Sequence, residues 1–219
     1  MAKESSNGKG LSPFLCPVGS VAINPVLLPA GHLLFRVHRQ QFAGDSFNNT
    51  LQGNARFSPI FDQQGRLIPT LYAGDVTRVA LCEVIFHDID ISQSAIVYQV
   101  KALAAFRHSQ LVTTVPMLLA SLDLASLVKM RANKKLIHSD ASEYNITRQW
   151  AEAVHHQYPH IQGLTWPSRQ HEGQAWLFFG DRINGELQMH HQGTQLLTTP
   201  PVVGELLALA DRMGIYLEE

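Results

Sequence analysis

The chain reads as an α+β protein folded as a single domain. Three observations predict this. Its 219 residues are enough for one sizeable core. Short Val-, Ile- and Leu-rich runs of strand type are mixed irregularly with stretches of helical spacing, without the regular β–α alternation of a doubly wound sheet. No internal repeat and no linker-like stretch divides the chain.

In chain order, residues 1–30 are expected to form an N-terminal extension, partly flexible, because its first part is rich in Ser, Gly and Lys. The domain proper is expected over 31–219. Pro29–Ala30–Gly31 marks a turn before His32–Val37, HLLFRV, a strand with Arg36 among apolar neighbours. That Arg either alternates outward to solvent or lines a pocket, where its fork of donors suits phosphate or carboxylate oxygens. Phe42–Gly53 reads as loop, Ala55–Pro59 as a second Arg–aromatic pair (Arg56, Phe57) before a turn, and Asp62–Gly65 as another turn.

Pro69–Tyr72 is expected to lead into the central helix, with Asp75 as its N-cap. Val76, Val79 and Ala80 share one face. At about 100° per residue Glu83 and His87 fall on it too. Glu83 is therefore either a half-exposed carboxylate at the edge of the apolar stripe, or one turned inward that needs a partner or a cleft. Ala95–Val100 and Leu111–Val115 read as strands, Ser121–Met130 as a packing helix, and 132–140 as loop. Asn145 is expected to cap a helix over Ile146–His156, with Ile146, Trp150 and Val154 on one face. Gly163–Arg169 reads as a loop before Ala175–Phe179, a central strand. Ser168 is then either a turn residue or a functional group held beside the core. Glu186–His191 reads as a strand. A final helix starts at Pro200–Pro201, shows Val203, Leu206, Leu207 and Ala210 on its apolar face, and ends at Gly214.

Composition narrows the function classes. Hydrophobic residues make up 45% and charged residues 16%, as in globular proteins, and the formal charge is −1. That balance does not suit direct nucleic-acid binding, which draws its affinity from Lys and Arg on phosphates. No apolar run nears the roughly 20 residues of a membrane span, and the polar N-terminus lacks a signal-peptide core. Two cysteines, Cys16 and Cys82, make no disulfide framework, so a reducing cytoplasm fits. The 11 histidines show no HExxH and no finger-like spacing, and no metal is expected. G-x-G-x-x-G, the P-loop and the G-x-S-x-G elbow are all absent from the sequence, so Rossmann, P-loop and hydrolase-elbow routes are unsupported.

The polar residues left over form a pattern. L-F-R-V at 34–37, A-R-F-S-P at 55–59, L-Y-A-G-D at 71–75, A-L-C-E-V at 80–84 and G-L-T-W-P-S-R at 163–169 together resemble the RES-domain family, which is named for an Arg, a Glu and a Ser. The similarity runs in family order and is firmest over 31–185. It implies a fold similar to ADP-ribosylating toxins, with a split, mostly antiparallel β core and helices around an NAD+ cleft. It implies a bacterial toxin that degrades NAD+ at the nicotinamide–ribose bond by phosphorolysis or hydrolysis. No cofactor is implied beyond NAD+ as substrate, with inorganic phosphate as co-substrate in the phosphorolytic case. It also implies an Xre-type helix-turn-helix antitoxin as partner, and a homo-oligomer is compatible with it.

Carried over residue by residue, the family Arg falls on Arg36, the Glu on Glu83 and the Ser on Ser168. Arg56 takes the second arginine's place and Tyr72 that of the aromatic in the next motif. Val37 stands where the family often has Tyr, which leaves one substrate contact unfilled. The resemblance thus implies Glu83 as the carboxylate that stabilises an oxocarbenium-like transition state. Arg36 and Arg56 would be anion clamps, Tyr72 the nicotinamide wall, and Ser168 a ribose contact rather than a covalent nucleophile. Trp166 and Arg169 would complete the wall. Two other functions stay open, a protein mono-ADP-ribosyltransferase and a non-catalytic antitoxin-binding module. A plainer role for the pair is also open, with Arg36 and Glu83 forming a buried ion pair that ties strand to helix.

Overall fold

A computed structural model describes residues 14–86, 95–168 and 171–218. His87, on the expected central helix, and Arg169, in the expected wall, lie outside the described residues. The strands are β1 (Asn24–Leu28), β2 (Leu33–Arg39), β3 (Ile60–Phe61), β4 (Leu67–Ile68), β5 (Thr70–Gly74), β6 (Ile96–Gln99), β7 (Phe106–Thr113), β8 (Met117–Ser121), β9 (Gly163–Pro167), β10 (Gln174–Phe179), β11 (Leu187–Leu196) and β12 (Ile215–Glu218). The helices are α1 (Thr77–Val84), α2 (Leu124–Met130), α3 (Lys135–His138), α4 (Tyr144–Gln157) and α5 (Val202–Arg212).

Eight strands form one sheet in the order β1-β8-β9-β10-β5-β2-β7-β11. Every pairing in it is antiparallel except β8–β9. This is the α+β, mostly antiparallel architecture expected. β10 is buried on both faces: Ala175, Leu177 and Phe179 join the core under α2 and α4, while Trp176 and Phe178 join a second core across the sheet. A strand with no wet face reads as an unbroken apolar run, which is why AWLFF was legible.

The sheet is split between β2 and β5, which pair only at Phe35–Gly74. Beyond that junction, an isolated bridge between Asn48 and Thr70 occupies the edge of β5. On the far side β2 holds β7 over seven residue pairs, Leu33–Val112 to Arg39–Phe106. The sheet is thus two firmly paired halves whose ladder is joined at one pair, with residues 40–58 lying between β2 and β3 and lining the gap.

Several expectations are corrected. Thr70–Tyr72 is strand, so Tyr72 lies on β5 and does not open the helix. Asp75 is not the N-cap: α1 starts at Thr77 after Val76, with no side-chain cap, and the Asp75 N–H donates to Gln174 O at 3.0 Å. Asn145 lies inside α4, which begins at Tyr144 without a side-chain cap. Gly163–Pro167 is strand β9, α3 interrupts the 132–140 loop, and β8 and β12 were not anticipated. The buried face of α5 is Val202, Leu206, Leu209 and Ala210, and Leu207 is 52% exposed. Within the stretch expected as an extension, residues 24–28 form edge strand β1, and Val21 and Ile23 are buried in the core.

Candidate functional site

A cavity of about 560 Å³ occupies the gap between β2 and β5. This is within the range that small-molecule sites span. Arg36 and His38 line it from β2, Thr70 and Tyr72 from β5, Glu83 from α1, Arg56 and Ser58 from the intervening loop, Tyr144 from α4 and Trp166 from β9. Arg36, Arg56, Tyr72, Glu83 and Trp166, more than a hundred residues apart at the extremes, therefore share one hollow. Ser168 joins them through a hydrogen bond. A larger hollow, about 1300 Å³, lies between residues 15–22 and 129–134 and holds none of the predicted site residues.

Glu83 is the next-to-last residue of α1, on the turn after the buried run Val79–Cys82. That run packs against β2 and α5, and the ion pair between Arg78 and Glu205 ties α1 to α5. The helix is thus fixed while its C-terminal end presents a half-buried carboxylate to the cavity. Ser168 follows β9 directly, and its N–H donates to Gly173 O at 2.8 Å. Its hydroxyl donates to Glu83 Oε1 at 3.0 Å. One carboxylate oxygen is thereby oriented, and the Ser168 lone pairs stay available to a donor. Gly173 is required there: its φ is +143°, and a β-carbon would stand 2.5 Å from Asp75 Oδ1.

Arg36 points from β2 into the gap and is 8% exposed. Both hydrogens of its Nη1 are used, on Gly44 O and Ser46 O, each at 2.7 Å. The guanidinium is therefore oriented by the 44–46 loop, with Nε and Nη2 left as its remaining donors. Burial pushes its pKa down to about 10, with Asp45 pulling the other way, so it carries full charge at neutral pH. Among the described residues no ion pair joins Arg36 to Glu83: the arginine is held by carbonyls and the carboxylate by Ser168. The plain strand-to-helix ion pair is not how this site is built.

Arg56 is 7% exposed, its guanidinium faces the Tyr144 ring at 5.9 Å, and its Nε has no hydrogen-bond partner among the described residues. Thr147 donates to Arg56 O, which anchors this loop to α4. The Tyr72 hydroxyl accepts from Phe57 N–H at 2.9 Å. Burial pushes its phenol well above the usual range, so it stays neutral. Trp166 meets Phe57 and Tyr72 edge-on at 5.1 and 6.0 Å, is fully buried, and leaves its indole N–H without a partner. Two buried donors at the cavity wall, on Arg56 and Trp166, thus have no hydrogen-bond partner among the described residues. Cys82 is buried beside Glu83 and its thiol is pushed up to about 12 by burial and then by that carboxylate, which leaves it inert.

The sequence reading missed His38, Tyr144 and Ser58. His38 lies two residues beyond Arg36, and strand alternation puts it on the same side; that spacing was the available signal. Ser58 lies inside the A-R-F-S-P motif, which was read only for its Arg; Tyr144 had no such signal.

A family model for the RES domain matches residues 33–198. The chain belongs to the RES-domain family. No match was found among curated proteins. Among solved structures, this RES domain is similar to a chain of the M. tuberculosis MbcT-MbcA toxin-antitoxin complex. The TM-score is 0.56 at 21% identity, over 83% of this chain and 92% of that one. At that identity the likeness shows the fold. No helix among the described residues is long and apolar enough to cross a membrane.

Proposed function

We propose that this RES-domain protein is a toxin that degrades NAD+ by cleaving the bond between nicotinamide and ribose. The observation that carries the reading is the Glu83–Ser168 pair at a cavity that also holds two buried arginines. Nicotinamide leaves as a neutral molecule from a cationic pyridinium, so the leaving group needs no acid. What the reaction needs is stabilisation of positive charge at the anomeric carbon, and a carboxylate supplies it. Ser168 fixes one oxygen of Glu83, leaving the other for a ribose hydroxyl. Arg36 and Arg56 suit the pyrophosphate or an incoming phosphate, through charge-assisted donors. Tyr72 and Trp166 give the nicotinamide end an aromatic wall. In phosphorolysis a phosphate oxygen forms the new bond to the anomeric carbon as the bond to nicotinamide breaks; in hydrolysis water does so and releases one proton.

An antitoxin is the proposed protein partner, of the Xre type that the family resemblance implies, and a reducing cytoplasm holding NAD+ is the proposed place of action. The test is to incubate the purified protein with NAD+, with and without inorganic phosphate, and weigh the products. Nicotinamide with ADP-ribose 1″-phosphate only in phosphate identifies a phosphorylase. Nicotinamide with free ADP-ribose in both conditions identifies a glycohydrolase. Intact NAD+ after incubation with folded protein rejects the proposal and favours transfer to a protein target or a binding module.

A further inference from the structure

Arg36 does not stand alone on β2. Across the ladder its register partner is Ser109 of β7, so the two side chains share one face of the sheet. His38, two residues on, shares that face as well. The hydrogen-bond directions among these groups are fixed by chemistry. The Arg39 carbonyl lies 3.0 Å from His38 Nδ1 and can only accept, so Nδ1 carries the proton. Burial, and then the nearby Arg36, lower the His38 pKa and keep the ring neutral, so Nε2 is bare and accepts from Ser109 Oγ at 2.8 Å. Ser109 Oγ, having donated, accepts from Thr194 Oγ1 at 2.7 Å. The chain Thr194→Ser109→His38→Arg39 runs in one direction across β11, β7 and β2. His38 is 5% exposed and Ser109 wholly buried.

Gly44 sits directly on this chain. A β-carbon there would lie 2.6 Å from Ser109 Cβ and 2.8 Å from Met189 Sδ. Position 44 is therefore a contact of backbone on Ser109, close enough to exclude any side chain. The Gly44 carbonyl is also one of the two that hold Arg36 Nη1. The stack is continuous: His38 orients Ser109, Ser109 seats Gly44, and Gly44 with Ser46 aims the guanidinium.

We propose that His38 and Ser109 are positioning residues for Arg36, acting through the seat they make for Gly44, so that β7 sets the direction of an arginine on β2. They do not touch substrate. Both His38 nitrogens are already occupied within the protein, so it is not a general base. The inference rests on the NAD+-cleaving role for the value of Arg36 in catalysis, but not for its orientation.

The test therefore has two readouts. Ser109→Ala removes the hydroxyl while keeping Cβ, His38→Leu removes the acceptor, and His38→Gln keeps an acceptor near Nε2. The first two are expected to lower kcat/KM for NAD+ by about 10- to 100-fold. The loss should fall more on kcat than on KM, because a misaimed guanidinium still attracts an anion without aligning it. His38→Gln is expected to recover most of the activity. Independently of turnover, the Arg36 Nε–H resonance in ¹⁵N-labelled protein, assigned by its disappearance in Arg36→Lys, should shift or broaden in Ser109→Ala and stay put in His38→Gln. An Arg36 resonance unmoved by Ser109→Ala in folded protein overturns the proposal, whatever the activity. If wild-type protein leaves NAD+ intact, the function proposed above fails while the resonance still decides the positioning role.

Discussion

Replacing Glu83 by Gln separates charge from shape. The amide oxygen can still accept the Ser168 hydroxyl now 3.0 Å from Oε1, so the local geometry survives and only the negative charge is lost. A carboxylate about 4 Å from a developing cation gains roughly 4 kcal/mol at the effective dielectric of a site near the surface. Glu83 is half-buried, so screening by water trims this to about 2–4 kcal/mol. At 1.36 kcal/mol per decade, kcat for nicotinamide release should fall by about 30- to 1000-fold. Because the residue makes one hydrogen bond among the described residues and sits at a helix end, Tm should change by no more than about 3 °C. The assay is chromatographic release of nicotinamide from saturating NAD+, with circular dichroism melts on the same samples. Activity within about threefold of wild type in Glu83→Gln would refute the electrostatic role. A collapse of Tm alongside the activity would instead make Glu83 a structural group.

Two further outcomes concern the scaffold. Gly163 lies where a β-carbon would run into Leu177 O of the neighbouring strand and would stand 3.1 Å from Leu119, so Gly163→Ala should destabilise by about 2–4 kcal/mol, read as a lower midpoint in urea. A midpoint equal to wild type would mean that β9 and β10 are not packed as described. His108 is pushed down to about 4 by burial and then by neighbouring His38, so it stays neutral in the folded chain while the unfolded chain takes up a proton below about pH 6.5. The stability this neutral group contributes is present above the unfolded value and lost as pH falls through the folded one. Between about pH 6.5 and 4 it should add a slope of up to about 1.4 kcal/mol per pH unit. His108→Gln should flatten that limb in denaturant titrations, and an unchanged slope would count against it.

The elements that were legible in the sequence are those whose neighbours impose a simple pattern. β10 is buried on both faces and reads as an unbroken apolar run, and α4 has a wet side and a dry side and reads at helical spacing. β5 was mistaken for the approach to a helix because Asp75 has the chemistry of an N-cap, yet its N–H is drawn to Gln174 O and extends the strand edge. β9 was mistaken for a loop because Pro167 ends it and Gly173 follows, and it opens on Gly163. Its glycine is there for the close passage of Leu177, a tertiary cause that no local window contains. On α5 the expected face was rotated, taking Val203 and Leu207 for Val202 and Leu209, since a helix with apolar residues at 202, 203, 206, 207, 209 and 210 offers two overlapping stripes and only packing selects one. Arg36, Glu83 and Ser168 could be grouped only through a family resemblance, because no periodicity links residues 47 and 85 positions apart. The carbonyls of Gly44 and Ser46 that aim Arg36 were invisible for a further reason: backbone oxygens leave no trace in residue identity.

The one-pair junction at Phe35–Gly74 makes the sheet a pair of blades pinned at the hinge. Arg36 rides on one blade, and Tyr72 and Trp166 on the other, while Glu83 reaches in from the helix that follows the pin. The gape between the blades is then a mechanical coordinate, and the reacting distances are read off it. Under the proposed NAD+ cleavage, a substrate long enough to touch both blades would be a strut as well, and its departure in two shorter pieces would remove the brace in the same event that completes the reaction.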